Sequence, residues 1–128
     1  MRALLRAGAE EEAPGTAVFD TATGVQLLIV RQEVEYTAPV PYRRNPLEVE
    51  LWFGRIGGSS VQVCHELYSG PEGDGQPARV LYASSTAVIV KIDIATGTPV
   101  ALSAYEHDAL SPYQGDAIAY RDQQQSMR

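Results

Sequence analysis

Two adjacent arginines, Arg43 and Arg44, follow a segment in which Pro39 and Pro41 end a predicted strand. Such a bend leaves both arginines and the preceding Tyr42 exposed. Guanidinium groups carry forked N–H donors that match the oxygens of a phosphate group. The three residues therefore form a candidate ligand-binding site for a phosphate-bearing molecule, and a solvated turn is the simpler alternative.

A second candidate site follows in the run Gly57-Gly58-Ser59-Ser60. Backbone N–H groups and hydroxyls at a tight turn can line the path of an anionic or amide-bearing ligand. We therefore add Gly58, Ser59 and Ser60 to the candidate substrate-binding residues. The alternative is an ordinary hairpin turn between two strands, for which paired glycines are typical.

Three further residues could exchange protons with a substrate: Glu33, Glu35 and His65. The strand pattern predicts that His65 lies on an apolar side and is partly buried, which favours a structural role. Glu33 and Glu35 share the polar side of another strand, where a solvated sheet face explains them. We identify no catalytic residue, Ser-His-Asp triad or phosphate-binding glycine loop from these patterns.

Composition excludes several classes of protein. The 128 residues have a formal charge of -6, which argues against nucleic acid as a partner. Cys64 is the only cysteine, so we expect no internal disulfide, an inert thiol and a reducing, cytoplasmic setting. His65 and His107 lack nearby acidic ligand spacing, so no metal site is expected, and no cofactor is indicated. The apolar runs are too short for a membrane span.

The predicted elements are four long strands and one short helix. Alternation of apolar and polar residues predicts the strands, and the pair Ser103 and Glu106 forms a capping box for the helix. Residues 1–12 have the composition of the end of a helix, although their early arginines and late glutamates oppose the helix dipole. The predicted ranges are 25–37, 47–55, 60–68 and 78–93 for the strands and 103–110 for the helix.

Strands without crossover helices between them indicate an α+β fold with a meander-like antiparallel sheet. One face of this sheet is apolar, through residues such as Leu51 and Phe53, and requires a covering layer. Trp52 lies on the opposite face, where it marks either a subunit contact or an isolated exposed aromatic residue. We therefore expect an oligomer.

Several motifs resemble one family. They are V-x-Y-x-x-P-x-x-Y from Val34 to Tyr42, the strand that follows it, R-I-G-x-S-S from Arg55, and V-x-I-D-x-x-T-G-x-P from Val90. Together they are similar to the hotdog-fold acyl-CoA thioesterases of the 4-hydroxybenzoyl-CoA thioesterase type. The resemblance covers most of residues 4–113, so we expect a single hotdog domain over 1–113 and a disordered polar tail over 114–128.

The resemblance implies a long central helix wrapped by an antiparallel sheet, with two subunits joined edge to edge as a homodimer or homotetramer. It implies hydrolysis of acyl-CoA to free acid and coenzyme A, whose phosphates would contact Arg43 and Arg44. The family's acidic loop, a D-x-D-x-x-G-H-like motif, does not occur in this sequence.

About 25–35 family residues, a strand and most of the helix, therefore lack a counterpart, so we expect a central helix truncated at its N-terminal side and poor hydrolysis by this chain. A late start position and a naturally shortened relative both explain this. Besides a thioesterase, a noncatalytic acyl-CoA binding module and a structural hotdog subunit remain as alternatives.

Overall fold

A computed structural model describes residues 3–6, 19, 23–42, 46–70 and 79–120 of the chain. These residues contain five β-strands, one α-helix and a 3-10 turn. In chain order they are β1 (Ala3–Arg6), β2 (Val25–Tyr36), β3 (Glu48–Ile56), β4 (Ser60–Tyr68), β5 (Leu81–Asp93), α1 (Ala104–Leu110) and the 3-10 turn (Ser111–Tyr113). The four long strands begin and end within a few residues of the positions that alternation predicts.

The strands form one antiparallel sheet in the order β1-β3-β4-β5-β2. Strands β3, β4 and β5 follow one another as the predicted meander. Strand β2 does not lie beside β3; it pairs with β5 at the far edge, with Ile29 opposite Ile89 and Tyr36 opposite Ala83. One side of the long strand β2 therefore has no neighbouring strand among the described residues.

The two faces of the sheet differ in composition. We call the side that carries Leu51, Phe53, Val61 and Val63 the inner face; these residues form the core with Leu102 and Leu110. The outer face carries Trp52, Gln62, Cys64, Thr86 and Val88, which alternate with the inner residues along their strands. The inner face is thus the apolar face that the sequence predicts.

Helix α1 closes one end of the inner face. Its predicted capping box is confirmed: Ser103 Oγ accepts from the Glu106 backbone N–H at 3.1 Å, and Glu106 Oε1 accepts from the Ser103 backbone N–H at 2.7 Å. The same Glu106 oxygen lies 2.9 Å from Lys91 Nζ on β5. Both side chains are buried, so this ion pair fixes the helix to the sheet.

The helix end predicted at the start of the chain is not observed, because Ala3–Arg6 form strand β1 instead. Ala3 pairs with Leu51 and Arg6 with Glu48, so β1 satisfies the backbone groups at one edge of β3. A helix at this place would also have had the wrong charge order for its dipole. The predicted α+β class with an antiparallel sheet is confirmed, and α1 is the only α-helix among the described residues.

The disordered tail predicted from Gln114 onward differs from the structure at residues 114–120, which bind to the sheet. Gln114 pairs with Phe53, two residues past Leu51, which is the partner of the first residue of β1. The Gly115 N–H donates to the Phe53 carbonyl at 2.8 Å. Trp52 Nε1 then donates to the Asp116 carbonyl at 2.8 Å. The segment therefore turns around the edge of β3 from the inner to the outer face.

Candidate functional site

The predicted bend lies at the end of β2. Tyr42 is 99% exposed and Tyr36 is 76% exposed, as expected for a surface site. A shallow depression follows the backbone from Tyr36 to Val40 and is lined by those five residues. Arg43 and Arg44 lie outside the described residues, so their part in a phosphate site stays a prediction.

The second candidate site forms the β3–β4 hairpin turn, and its backbone is used within the fold. The Gly58 carbonyl accepts from the Leu102 N–H at 2.7 Å, and the Ser59 carbonyl accepts from the Lys91 N–H at 3.0 Å. The Gly57 N–H donates to the Ser60 carbonyl at 2.7 Å. The turn thus anchors the segment that leads into α1, while Gly58 itself is exposed and has open space around its Cα.

The two candidate sites lie at opposite ends of the sheet within one chain. Ser60 begins β4 beside Val90, whereas the bend follows Tyr36, whose partner Ala83 lies at the other end of β5. The nine residues of β4 span ~26 Å between these ends at ~3.3 Å per residue. Tyr42 and the group Gly58, Ser59 and Ser60 are therefore not brought together within a single copy.

The three candidate proton-exchanging residues are also separated. His65 lies on the inner face between Leu51 and Ser85 and is half-buried, and this burial lowers its pKa from the ordinary value of 6.5. Glu33 lies on the outer face, opposite Thr86, and Glu35 lies two residues farther along the same strand. His65 is thus on the other side of the sheet from both glutamates, and the three do not form a catalytic set.

Trp52, predicted to be exposed or to mark a subunit contact, is 1% exposed. It is covered by the chain's own residues 114–120, which the sequence analysis had assigned to a disordered tail. Gly115 packs so closely on the indole that a Cβ atom there would come within 3.0 Å of Trp52 Cδ1. Because Gly115 has no side chain, its backbone can lie directly against the indole and cover it.

The same segment forms the roof of a pocket of about 250 Å³ on the outer face. The residues that line it are Arg31, Glu33, Gln62, Thr86, Val88, Ala117, Ile118 and Tyr120. Tyr120 OH lies 2.7 Å from Thr86 Oγ1, and partial burial raises the pKa of Tyr120. Sequence reasoning missed this site; the alternate spacing of Ile118 and Tyr120 was the one signal that the segment could lie on a sheet.

Two further classes of site were sought in the described part of the chain. There, no three His, Cys, Asp or Glu side chains are grouped so that they could hold a metal ion. No helix in those residues has the length and apolar character needed to cross a membrane.

Comparisons with known proteins were made for both sequence and structure. No protein-family model matches the sequence, and no curated protein matches it. The solved structure of the PA5185 protein from Pseudomonas aeruginosa PAO1 matches with a TM-score of 0.62 and 30% identity, covering 82% of this chain and 68% of that one.

Two solved thioesterase structures show the same fold. The dynemicin thioesterase is 21% identical, with a TM-score of 0.62 over 75% of this chain and 66% of its own. The 1,4-dihydroxy-2-naphthoyl-CoA thioesterase Slr0204 from Synechocystis is 16% identical, with a TM-score of 0.58 over 69% of this chain and 59% of its own. The chain thus spans about two thirds or less of these two proteins.

These likenesses agree with the strand order and the antiparallel register described above. At 30% identity over most of its length, the match to PA5185 goes beyond a shared fold. This chain belongs to the same family as PA5185 and has the hotdog fold of the solved thioesterases.

Proposed function

We propose that this protein acts on acyl-CoA thioesters, in the manner of the 4-hydroxybenzoyl-CoA thioesterase type. The proposed reaction is attack of water on the thioester carbonyl, which releases the free acid and coenzyme A as the thiol. The observation that carries the proposal is the fold that this chain shares with solved thioesterases, and the 30% identity to PA5185 supports membership of one family. The name of Slr0204, a CoA thioesterase of the same fold, supports coenzyme A as the carrier.

The geometry of the sheet supports a second copy of the chain as part of the site. Strand β2 is twelve residues long, its outer edge has no neighbouring strand among the described residues, and its side chains are largely exposed. Ile29 is 58% exposed and Val34 is 43% exposed, although both lie on the apolar inner face. An unpaired apolar edge of this length favours pairing with another strand, and a homodimer through β2 supplies one.

Such a dimer would also bring the two candidate sites closer together. Pairing of β2 with its symmetry mate is antiparallel, because a two-fold axis reverses the strand direction. The bend at Tyr42 of one copy then lies at the end of the sheet where the other copy has its Gly58–Ser60 turn. In the dimer, the bend of one copy and the turn of the other are separated by three strand spacings, or ~14 Å, across the sheet. Within one copy, the bend and the turn are separated by ~26 Å along the strands. A ligand as long as coenzyme A can reach between the two sites in the dimer.

A noncatalytic acyl-CoA binding module is the second candidate. One observation favours it: among the described residues, His65 and the carboxylates of Glu33 and Glu35 lie on opposite faces of the sheet. A pair of groups that act together on one thioester must lie within hydrogen-bond reach of the reacting atoms. A purely structural subunit, which would bind no CoA, is the third candidate.

Binding and turnover separate these candidates. Coenzyme A titration and steady-state hydrolysis of short, medium, long and aromatic acyl-CoA substrates should be measured on the full chain. A thioesterase binds and turns over, a binding module binds without turnover, and a structural subunit does neither. Turnover that is lost in His65→Ala would assign the base to β4, whereas turnover that is retained would exclude His65.

The phosphate contact has its own test. Replacing Arg43 and Arg44 together by alanine should weaken coenzyme A binding by ~2 kcal/mol, or roughly thirtyfold, since each hydrogen bond to a charged group contributes ~1.5–3 kcal/mol before solvent exposure reduces it. Arg31→Ala is the matched control, because it removes a guanidinium from the outer face of β2. Equal affinity of the double variant and the control would make Arg43 and Arg44 plain turn residues.

The oligomeric state tests the shared site. Light scattering at micromolar concentration should give a dimer or a tetramer, and Ile29→Arg should shift the mass toward the monomer by placing a charge on the proposed interface. Arg55→Ala, which removes an exposed arginine from β3 and not from β2, serves as the control with unchanged mass. A monomeric wild-type chain would exclude both the β2 interface and the shared site.

A further inference from the structure

The pocket on the outer face has a floor of two rows of side chains that cross the sheet. In the first row, Arg31 on β2, Val88 on β5 and Gln62 on β4 are direct neighbours. In the second row, Glu33 lies beside Thr86. These rows face away from the core, the α1 helix and the bend, so the pocket is separate from the proposed acyl-CoA site.

The roof of the pocket is the chain segment 117–120, which is held at both ends. At one end the Trp52 indole N–H donates to the Asp116 carbonyl, and at the other end Tyr120 OH forms its 2.7 Å hydrogen bond with Thr86 Oγ1. The same hydroxyl lies 3.5 Å from the Glu33 carbonyl. Two anchors fix the height of the roof above the floor, so the space between them is a built cavity and not a surface furrow.

Two of the polar side chains that line the pocket, Arg31 and Gln62, offer hydrogen-bond donors. Arg31 is exposed to the pocket mouth and forms no ion pair with any residue that the structure describes. Gln62 Oε1 already accepts from the Arg55 N–H at 3.0 Å, which leaves the amide nitrogen as a donor. The Arg31 guanidinium at one end of the first row matches the oxygens of a carboxylate, and the Gln62 amide at the other end, across Val88, offers a second donor.

The other side chains that line the pocket favour a ligand with an apolar body and a single negative charge. Val88, Ala117 and Ile118 are apolar, so they favour an apolar body. Glu33 contributes a carboxylate at the other row, which disfavours a doubly charged anion such as phosphate. The volume of about 250 Å³ exceeds the ~150 Å³ that is sufficient for benzene in an engineered protein cavity.

We propose that this pocket, lined by Arg31, Gln62, Val88 and the 117–120 roof, binds a small organic monocarboxylate with an apolar body of about the size of a benzene ring. The carboxylate contacts Arg31, and the apolar part packs between Val88 and Ile118 with its far edge toward Gln62. The ligand contacts the roof and the floor at the same time. The proposal does not depend on thioester hydrolysis.

Nuclear magnetic resonance of the full chain, titrated with sodium benzoate, tests the proposal. Trp52 is the single tryptophan, so its indole N–H gives one resolved signal next to the roof. We expect this signal and the amide signals of residues 117–120 to shift saturably, with a dissociation constant in the millimolar range. Benzyl alcohol, which lacks the charge, and inorganic phosphate, which lacks the apolar body, should produce no saturable shift at the same concentrations.

Three variants sharpen the result. Arg31→Gln should weaken benzoate binding at least tenfold, whereas Arg55→Gln, which removes an exposed arginine outside the pocket, should leave it unchanged. Val88→Phe should abolish binding by filling the pocket without any change of charge. Unchanged benzoate binding in Arg31→Gln or Val88→Phe, or equal binding of phosphate, would overturn the proposal. Retained signal dispersion in each variant shows that it folds.

Discussion

Strands β3 and β2 have similar alternating sequences but very different surroundings. Leu51, Trp52 and Phe53 on β3 are 5%, 1% and 3% exposed, so this strand is buried on both faces. Ile29 and Val34 on β2 are 58% and 43% exposed. The alternation of a strand therefore tells which residues share a face, and it does not tell whether that face is covered.

The difference arises from segments that come much later in the chain. Leu102 and Leu110 pack with the inner face of β3, and Gly115 and Asp116 cover Trp52 on its outer face. The Trp52–Asp116 hydrogen bond joins residues 64 positions apart. Strand β2 receives no comparable cover from the described residues, which is why we assign its edge to a second copy of the chain.

The largest loss of stability is expected for a substitution on the outer face of β3. Trp52→Ala should lower the free energy of unfolding by ~4 kcal/mol, because it leaves a cavity beneath Gly115 and removes the hydrogen bond to Asp116. Urea unfolding followed by circular dichroism measures the loss. Val34→Ala on β2 is the control and should cost under ~1 kcal/mol, since its side chain is already partly exposed. Equal losses at the two positions would contradict the contrast between the strands.

The next largest loss of stability is expected at the ion pair between Lys91 and Glu106, which holds α1 over the inner face. Glu106→Gln should cost ~3 kcal/mol, because the buried Lys91 ammonium loses its anionic partner while the amide oxygen can still cap the helix. The double variant Lys91→Met with Glu106→Gln should recover much of this loss in the same urea experiment. A loss under ~1 kcal/mol in the single variant would show that solvent reaches Lys91.

A smaller effect is expected at the start of α1. Ser103→Ala should cost ~1 kcal/mol, since the Glu106 N–H loses its side-chain acceptor. Ser111→Ala is a matched control at the other end of the helix, where the exposed hydroxyl donates to the His107 carbonyl. We expect it to cost under ~0.5 kcal/mol. A larger loss of stability in Ser111→Ala than in Ser103→Ala would mean that the C-terminal end of the helix, and not its capping box, stabilises it.

The smallest effect is a pH dependence at His65, which lies between the covered and the exposed parts of the inner face. Burial lowers its pKa in the folded chain below 6.5, so the unfolded chain takes up a proton first as the pH falls. The contribution of His65 therefore lowers the free energy of unfolding as the pH falls from 6.5 to the pKa of His65 in the folded chain. Below that pKa the contribution decreases no further. His65→Gln should flatten the stability profile over this range; an unchanged profile would place His65 in solvent.

The sequence predicted the strands well because their signals are local. The alternation in β3 and β4, the paired glycines before Ser60 and the Ser103–Glu106 capping box each lie within a few residues, and the structure confirms these elements. The inner face was likewise identified correctly from Leu51 and Phe53.

The prediction failed where a distant segment decides the outcome. Nothing near Trp52 indicates that Gly115 will cover it, and nothing in residues 3–6 shows that the edge of β3 is free to pair with them. The polar composition of residues 114–120 was read as disorder, although two of their backbone groups and the Gln114 side chain bind to β3. The outer-face pocket was missed for the same reason, because its roof belongs to that segment.

The path of residues 114–120 around the edge of β3 has a consequence for the order of events during synthesis. Chains emerge from the ribosome with the N-terminal end first, at ~5–20 residues per second, so β3 is made well before both segments that bury it. Until residues 102–116 have emerged, Trp52 and Phe53 remain in contact with water or with chaperones. Strand β3 is therefore buried only after these later residues are available, and a product that ends before Gln114 would leave Trp52 exposed and prone to aggregation.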